Sequence, residues 1–353
     1  MDKQLTQLEN GLKRIKDKEF KIYFLTQDTD GRAAASVMVN YQLVKHLRDN
    51  GYEAYIMYEK TQFKGVKDWL GSEYVDLPHT SIEGGELKVG PQDFVVVPEI
   101  YGHVLEQIVQ MPCSKIVLCQ AYDYIFETLT PGTSWVNYGV KEVITTSKPQ
   151  EDYIKSLMPN VNTTIVPVSI PEYFKSSEKP KKPIVAIHTR DPRDTMKIIK
   201  AFYILNPQFK WVTFKDMRNM SNKEFAESLG ESCVSIWIDR ISGLGTFPIE
   251  SMMCKTPVIG VLPVLKPDWL TNDNGIWAFD ESKIVEVLGT YMKNWLEDNV
   301  PPVLYEKMES TVNDFNNTNQ SEAIVKFFDN VVSERVKEME NAINKLTPVG
   351  ENI

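Results

Sequence analysis

Short apolar runs alternate with helix-length segments along this chain, stop once, and start again; that pattern limits the fold more than any other feature. The first run is Lys21-Ile-Tyr-Phe-Leu25, bounded by polar residues as a buried strand is. A loop, Gln27-Asp-Thr-Asp-Gly31-Arg32, leads into a helical stretch ending near Asn50, with Gly51 where a helix C-cap is expected. Ala54-Tyr-Ile-Met-Tyr58 is the next run, so the chain opens with the strand–loop–helix–strand unit of a doubly wound sheet. Further strands are predicted over 94–97, 115–119, 143–146 and 164–168, and helices over 101–110 and 150–157. Strands of this kind, separated by helices, predict an α/β fold whose parallel sheet is covered on both faces.

The alternation breaks at Lys175-Ser-Ser-Glu-Lys-Pro-Lys-Lys-Pro183, which is polar, charged and proline-bearing, as linkers are. It then restarts, with strands over 184–187, 211–214, 234–238 and 257–261 and helices over 195–205, 223–229 and 249–253. Two Rossmann-like doubly wound domains facing a central cleft are expected. The predicted division is 1–175 for the first domain, 176–183 for the linker and 184–325 for the second. A C-terminal helix over 326–353 either packs across the junction or stands as a solvated tail.

A length of 353 residues suits two buried cores better than one. The net charge of -9 argues against a surface built for nonspecific phosphate binding, while leaving room for a local basic cleft. No stretch approaches the ~18 apolar residues of a membrane span, and the polar N-terminus has no signal-peptide core. Cys113, Cys119, Cys233 and Cys254 show no metal-ligand spacing. A reduced, cytoplasmic protein is the resulting expectation.

The most informative segment is Ser242-Gly-Leu-Gly-Thr-Phe-Pro-Ile-Glu250-Ser-Met-Met-Cys-Lys-Thr256-Pro-Val-Ile-Gly260. Two glycines let the backbone approach a ligand with no Cβ between them. A helix starting beside Pro248 aims its free N–H groups and positive dipole end at that loop, a setting suited to phosphate. Glu250, in the expected first turn, is placed to accept hydrogen bonds from vicinal hydroxyls. Taken alone, the same residues also describe an ordinary loop–helix–strand crossover with a carboxylate near the helix dipole.

This run resembles the donor-binding signature of the retaining GT-B glycosyltransferases of family GT4. There a glutamate, a glycine-rich turn and a second glutamate precede a Thr-Pro-Val-Ile run. Gly243, Leu244 and Gly245 match the turn, Glu250 matches the second glutamate, and Thr256-Pro-Val-Ile259 matches residue for residue. Ile144-Thr-Thr-Ser147, Val166-Pro-Val-Ser-Ile-Pro-Glu-Tyr-Phe174 and Pro267–Phe279 are similar to further family segments in the same order. The family's first glutamate is replaced by Ser242, with Asp239 nearby at a different spacing.

The resemblance implies a nucleotide-sugar donor held by Ser242, Gly243, Leu244, Gly245, Thr246 and Glu250, the last on the ribose. Arg190 and Arg193 match the position of the family's diphosphate-clamping pair, and with Glu250 form the expected catalytic set. Asp28, Asp30, Gly31, Gln120, Tyr122 and Asp123 are the expected acceptor-cleft residues. No cofactor and no essential metal are expected, because Asp28-Thr-Asp30 supplies too few oxygen ligands for a hard cation. The implied reaction is transfer of a sugar, with retention, from a nucleoside-diphosphate sugar to a hydroxyl acceptor. Two alternatives stand beside it: a viral-type transferase acting on hydroxymethylated bases in DNA, and a noncatalytic glycosyltransferase-like binding protein.

Overall fold

The computed structural model describes residues 2–83, 87–239 and 245–346. The chain begins with helix α1 (Asp2–Lys16), then strand β1 (Ile22–Leu25), α2 (Ala35–Asp49), β2 (Ala54–Tyr58), α3 (Ser72–Val75) and β3 (His79–Ser81). It continues through β4 (Phe94–Pro98), α4 (Gly102–Gln107), β5 (Ser114–Leu118), α5 (Tyr124–Thr128), β6 (Val140–Thr145), α6 (Lys148–Leu157) and β7 (Asn162–Ile165). These strands form one parallel sheet in the order β3-β2-β1-β4-β5-β6-β7. β1 and β4 are buried along their whole length, as expected of central strands that carry helices on both faces.

A second parallel sheet follows the Lys175–Pro183 stretch. Its elements are β8 (Lys182–Thr189), α7 (Pro192–Leu205), β9 (Thr213–Asp216), α8 (Asn222–Glu231), β10 (Ser232–Ile238), α9 (Thr246–Met253), β11 (Val258–Val261) and β12 (Ile276–Ala278). The strand order is β12-β11-β10-β8-β9. Helices α10 (Ile284–Leu296), α11 (Pro302–Val312) and α12 (Asn317–Leu346) close the described chain. Only one strand–helix unit, β9 with α8, lies between α7 and β10.

The differences from the sequence expectation are short or polar elements. β3 and β12 are three-residue edge strands, the first polar (His-Thr-Ser) and the second too short to show a strand pattern, and α3 and α5 are single turns. Strand β9 starts at Thr213, not at Trp211, because the Trp211 indole N–H donates to the Gln208 carbonyl at 3.0 Å and closes the preceding turn.

Three apolar clusters hold the layers together. One covers the outer face of the first sheet and another the outer face of the second. The third is continuous across both units, joining Phe24, Phe94 and Tyr41 to Phe247, Ile249 and Leu270. Helix α12 completes this middle layer by returning to pack along α1 and α2. Its Phe328 is fully buried, with ring centroids 6.2 Å from Phe24 and 6.0 Å from Phe94. Gln320 fixes the register of the return: its amide donates to the Pro167 carbonyl at 3.0 Å and its carbonyl accepts from the Ser169 hydroxyl at 2.9 Å. Among the described residues no helix is long and apolar enough to cross a membrane.

Candidate active site in the interdomain cleft

In both sheets the strand C-termini of β1, β4, β5, β8 and β10 open toward a shared cleft, the edge where open α/β sheets place ligands. The cleft has two lobes of about 500 Å³ each. They meet along Gln27, Ala35, His188, Thr246 and Phe247.

The first lobe lies between the ends of β4 and β5 on one side and of β8 and β10 on the other. The first unit contributes Ser36, Asn40, Glu99, Gln120, Tyr124 and Glu127; the second contributes Arg190, Trp237, Asp239, Gly245 and Thr246. Arg190 spans the gap: one guanidinium N–H donates to the Tyr124 hydroxyl at 2.8 Å, while its Nε lies 3.5 Å from Asp239 Oδ1. The second lobe is lined by Asp28, Arg32 and Trp69 from one side and by Arg218, Asn222, Phe225 and Glu250 from the other.

Helix α9 begins at Thr246, two residues before Pro248, so Glu250 falls in the second turn instead of the first. Gly245 takes the left-handed conformation, φ 57°, at the N-cap, and among the described residues no side chain caps the helix. Thr246 and Phe247, the first two helical residues, line both lobes. The positive end of α9 thereby faces the cleft. Ser242, Gly243 and Leu244, named with Gly245 and Thr246 as donor-binding residues, lie outside the described residues.

Glu250 is 7 % exposed, and no hydrogen bond reaches its carboxylate among the described residues. Burial without compensation pushes its pKa up to about 8. The side chain faces the second lobe, so hydroxyls entering there would find an unpaired buried carboxyl.

The two arginines part company. Arg190 enters the first lobe, whereas Arg193 is 84 % exposed on the outer side of α7 with Met196, Lys197 and Lys200. Asp191 is the reason: it caps α7 by accepting the Arg193 backbone N–H at 2.8 Å and holds the same residue's guanidinium at 2.6 Å. The second lobe has cations of its own, Arg32 and Arg218, the latter paired with Asp216.

The acceptor-cleft residues divide in the same way. Gln120 lines the first lobe, its amide donating to the Ser36 carbonyl at 3.1 Å. Asp28 lines the second, accepting the Lys64 N–H at 3.0 Å and the Asp30 N–H at 3.2 Å. Asp30 and Gly31 occupy the left-handed turn that follows and are off the cavity walls, with Asp30 paired to Lys64 at 2.6 Å. Tyr122 and Asp123 are also off the walls, hydrogen-bonded to each other, and the Tyr122 ring packs edge-on against Tyr153. The turn after β5 directs positions 120, 121 and 124 into the cleft and 122 and 123 out of it.

Several residues on the walls carry little sequence signal of their own. His188 sits at the meeting point of the lobes, stacked on Phe247 with ring centroids 5.1 Å apart; burial lowers its pKa, so the ring is neutral at physiological pH. Its Nδ1 has no partner among the described residues. Glu99 directly follows the apolar strand β4 and is 4 % exposed. A charged residue at the C-terminal end of a buried strand is the one cue that could have drawn attention to it. Asp239, at the end of β10, brings a carboxylate into the lobe that Arg190 and Thr246 share. Among the described residues no group of three or more His, Cys, Asp or Glu is arranged to hold a metal ion.

Two parallel α/β sheets with one cleft at their facing C-terminal edges, bound together by a returning C-terminal helix, define the GT-B architecture of nucleotide-sugar-dependent glycosyltransferases. The comparisons with known proteins agree. The chain is similar to the sucrose-phosphate synthase of Thermosynechococcus elongatus, with a TM-score of 0.64 over 89% of this chain and 99% of that one at 14% identity. It is similar to Anabaena HepE in complex with UDP-glucose, with a TM-score of 0.61 over 88% and 99% of the two chains at 12% identity. In sequence it is 24% identical over 240 residues to an alpha-1,6-glucosyltransferase of Actinobacillus pleuropneumoniae serotype 7 (strain AP76), spanning 63% of this chain and 67% of that one. No family model matches the sequence.

Proposed function

We propose that the protein transfers a sugar from a nucleoside-diphosphate donor to a hydroxyl acceptor, with retention and in the manner of family GT4. The observation that carries this reading is the pairing, on one short helix, of an N-terminus that faces the cleft at Thr246 with a Glu250 carboxyl, one turn further on, that has no partner among the described residues. The N–H groups of α9 and the Arg190 guanidinium take the diphosphate, where negative charge grows as the sugar departs. Glu250 takes the ribose hydroxyls in the second lobe, and the base lies toward Arg218, Asn222 and Phe225. The sugar then points into the first lobe, toward Asp239, the carboxylate nearest in kind to the one that Ser242 replaces.

Charge balance at the diphosphate comes from Arg190 and the helix dipole, so no metal or other cofactor is assigned. The leaving phosphate itself assists removal of the acceptor proton, which leaves neutral His188 as a wall of the cleft and not a required base. All four cysteines are buried and unpaired, in keeping with a reducing, cytoplasmic setting.

The sequence similarity to a glucosyltransferase and the fold shared with a UDP-glucose complex make UDP and UDP-glucose the first ligands to try. Calorimetric titration with UDP is expected to show binding that falls by at least about tenfold in Glu250→Ala. Unchanged affinity in a folded variant would remove Glu250 from the donor site and with it this reading.

A further inference from the structure

The wall of the first lobe that belongs to the first unit is built unlike the wall it faces. Arg190 crosses to it from the second unit, but among the described residues the first unit contributes no cation there: besides Gln27 and Tyr124, the latter engaged by Arg190, its polar side chains are Ser36, Asn40, Glu99, Gln120, Glu127 and Thr128. Three of them are nearly inaccessible, Asn40 and Gln120 at 3 % and Glu99 at 4 %. Asn40 donates its amide N–H groups to the Leu25 carbonyl and the Thr26 hydroxyl, Gln120 donates one to the Ser36 carbonyl, and each keeps a side-chain carbonyl oxygen with no partner among the described residues. Buried acceptors in that state carry a desolvation cost that a hydrogen-bond donor relieves.

Glu99 is held firmly in place at this wall. Its Oε1 accepts the Ala121 N–H at 2.7 Å, and its backbone carbonyl accepts the Thr128 hydroxyl at 2.7 Å. The carboxyl is therefore fixed between the ends of β4 and β5, and the remaining capacity of the group is directed by the scaffold instead of by its own rotamers.

We propose that Glu99, with Gln120 and Asn40, forms the acceptor subsite, in which the Glu99 carboxyl accepts a hydrogen bond from a hydroxyl of an uncharged, polyhydroxylated acceptor, that is, a carbohydrate. A wall of acceptor oxygens recognises a ligand that brings hydroxyl donors. It disfavours a ligand that brings phosphates, because Glu99 and Glu127 would repel an anion at short range. A nucleic acid, whose affinity comes chiefly from phosphate contacts, is therefore a poor occupant of this lobe. The subsite rests on the proposed transferase reading and narrows it to one acceptor class.

Burial holds the Glu99 pKa near 7, against the backbone hydrogen bonds that lower it. The titratable and charged groups around it are the Cys119 thiol after β5, Glu127 and Tyr124 on α5, and His188, Arg190 and Asp239 across the cleft. Cys119 is pushed well above its ordinary range by burial, and His188 well toward neutrality, so neither titrates as an anion or cation near pH 7. The ionised carboxylate is the stronger acceptor, so acceptor KM is expected to fall as pH rises through the Glu99 pKa.

The test uses the full chain, UDP-glucose as donor, and glucose, maltose, glucose 6-phosphate and hydroxymethylated duplex DNA as acceptor probes. Stimulation of UDP-glucose turnover by the neutral sugars, and a Glu99→Gln variant whose acceptor KM rises at least about tenfold with an unchanged UDP Kd, is the expected result. The variant's KM should also lose its dependence on pH near neutrality, which a purely structural role would leave in place. Should Glu99→Gln fail to fold by circular dichroism, Gln120→Asn carries the same KM test on the same wall. Preference for glucose 6-phosphate or DNA, no stimulation by either neutral sugar, or wild-type KM and pH dependence in the variants would each overturn the subsite. Failure of the wild type to bind UDP or UDP-glucose at all is a different outcome, since it removes the transferase reading on which the subsite stands.

Discussion

Glu250 holds a proton that an exposed glutamate would have released, because the folded chain takes it out of water and supplies no partner. Between the ordinary glutamate value and about 8 the folded state keeps this proton while the unfolded chain has lost it. Stability contributed at this position therefore falls as pH rises through that window. Glutamine in its place carries no such proton. Glu250→Gln should consequently raise the melting temperature of the unliganded protein, with the gain widening by roughly 2–4 °C from about pH 5.5 to about pH 8. A scanning calorimetry series across that range checks the slope, and a gain independent of pH would mean that the carboxyl is not buried as described. The same variant should bind UDP less well, a trade of function against stability common where a site holds an unsatisfied polar group. Arg193 shows the opposite situation. Its neighbour Asp191 satisfies it locally, and a charge already satisfied on the surface has no call on the cleft.

At the scale of one element, α9 depends on an N-cap residue that has no side chain. Gly245 adopts φ 57°, and a Cβ built there would lie 2.9 Å from the Trp269 ring. Gly245→Ala should therefore cost about 1–2 kcal/mol by the left-handed backbone alone, with the ring contact adding to it. Urea denaturation measures the loss, and UDP titration should show weaker binding because the helix N-terminus moves with its cap. The other end of α9 is tied as firmly: Lys181, in the connecting stretch between the sheets, donates to the Cys254 carbonyl and the Thr256 hydroxyl at 2.7 Å each. Part of this element was legible beforehand. Glycine before an apolar helix and Thr-Pro before a strand mark its two ends in the sequence. The start two residues earlier than Pro248 was not legible, since Thr246 and Phe247 are neutral toward helix initiation and only packing against His188 and Trp237 fixes where the turn closes.

Across the whole molecule, the returning helix α12 is what makes two sheets behave as one body. It places Phe328 among Phe24, Phe94 and Tyr52 of the first unit after the chain has completed the second. Phe328→Ala should cost about 3–5 kcal/mol, in the range of a buried aromatic removed from a core. Two-state analysis of the denaturation curve would show whether both sheets lose stability together. A loss confined to one of two separable transitions would mean that the sheets melt independently. Arg190, Asn222 and Lys148 add polar ties between the units, the first across the cleft itself.

The alternation of short apolar strands with helices is written in the sequence, because a strand buried on both faces admits few polar residues, as in β10, where Ser232 and Ser235 are the exceptions. That local demand determined two parallel sheets, the stretch joining them and the helix end that carries Glu250. The edge strands His79–Ser81 and Ile276–Ala278 escaped the same reading: the first is polar, as an edge tolerates, and the second, though apolar, is only three residues long. The membership of the cleft was decided only by tertiary structure. Whether Gln120 faces inward and Tyr122 outward, and whether Arg190 or Arg193 reaches the gap, depends on turns and ion pairs whose outcome spacing does not encode. Glu99, His188 and Asp239 become neighbours only because strand ends from two separate sheets meet edge to edge, so no window of the sequence contains the site they share.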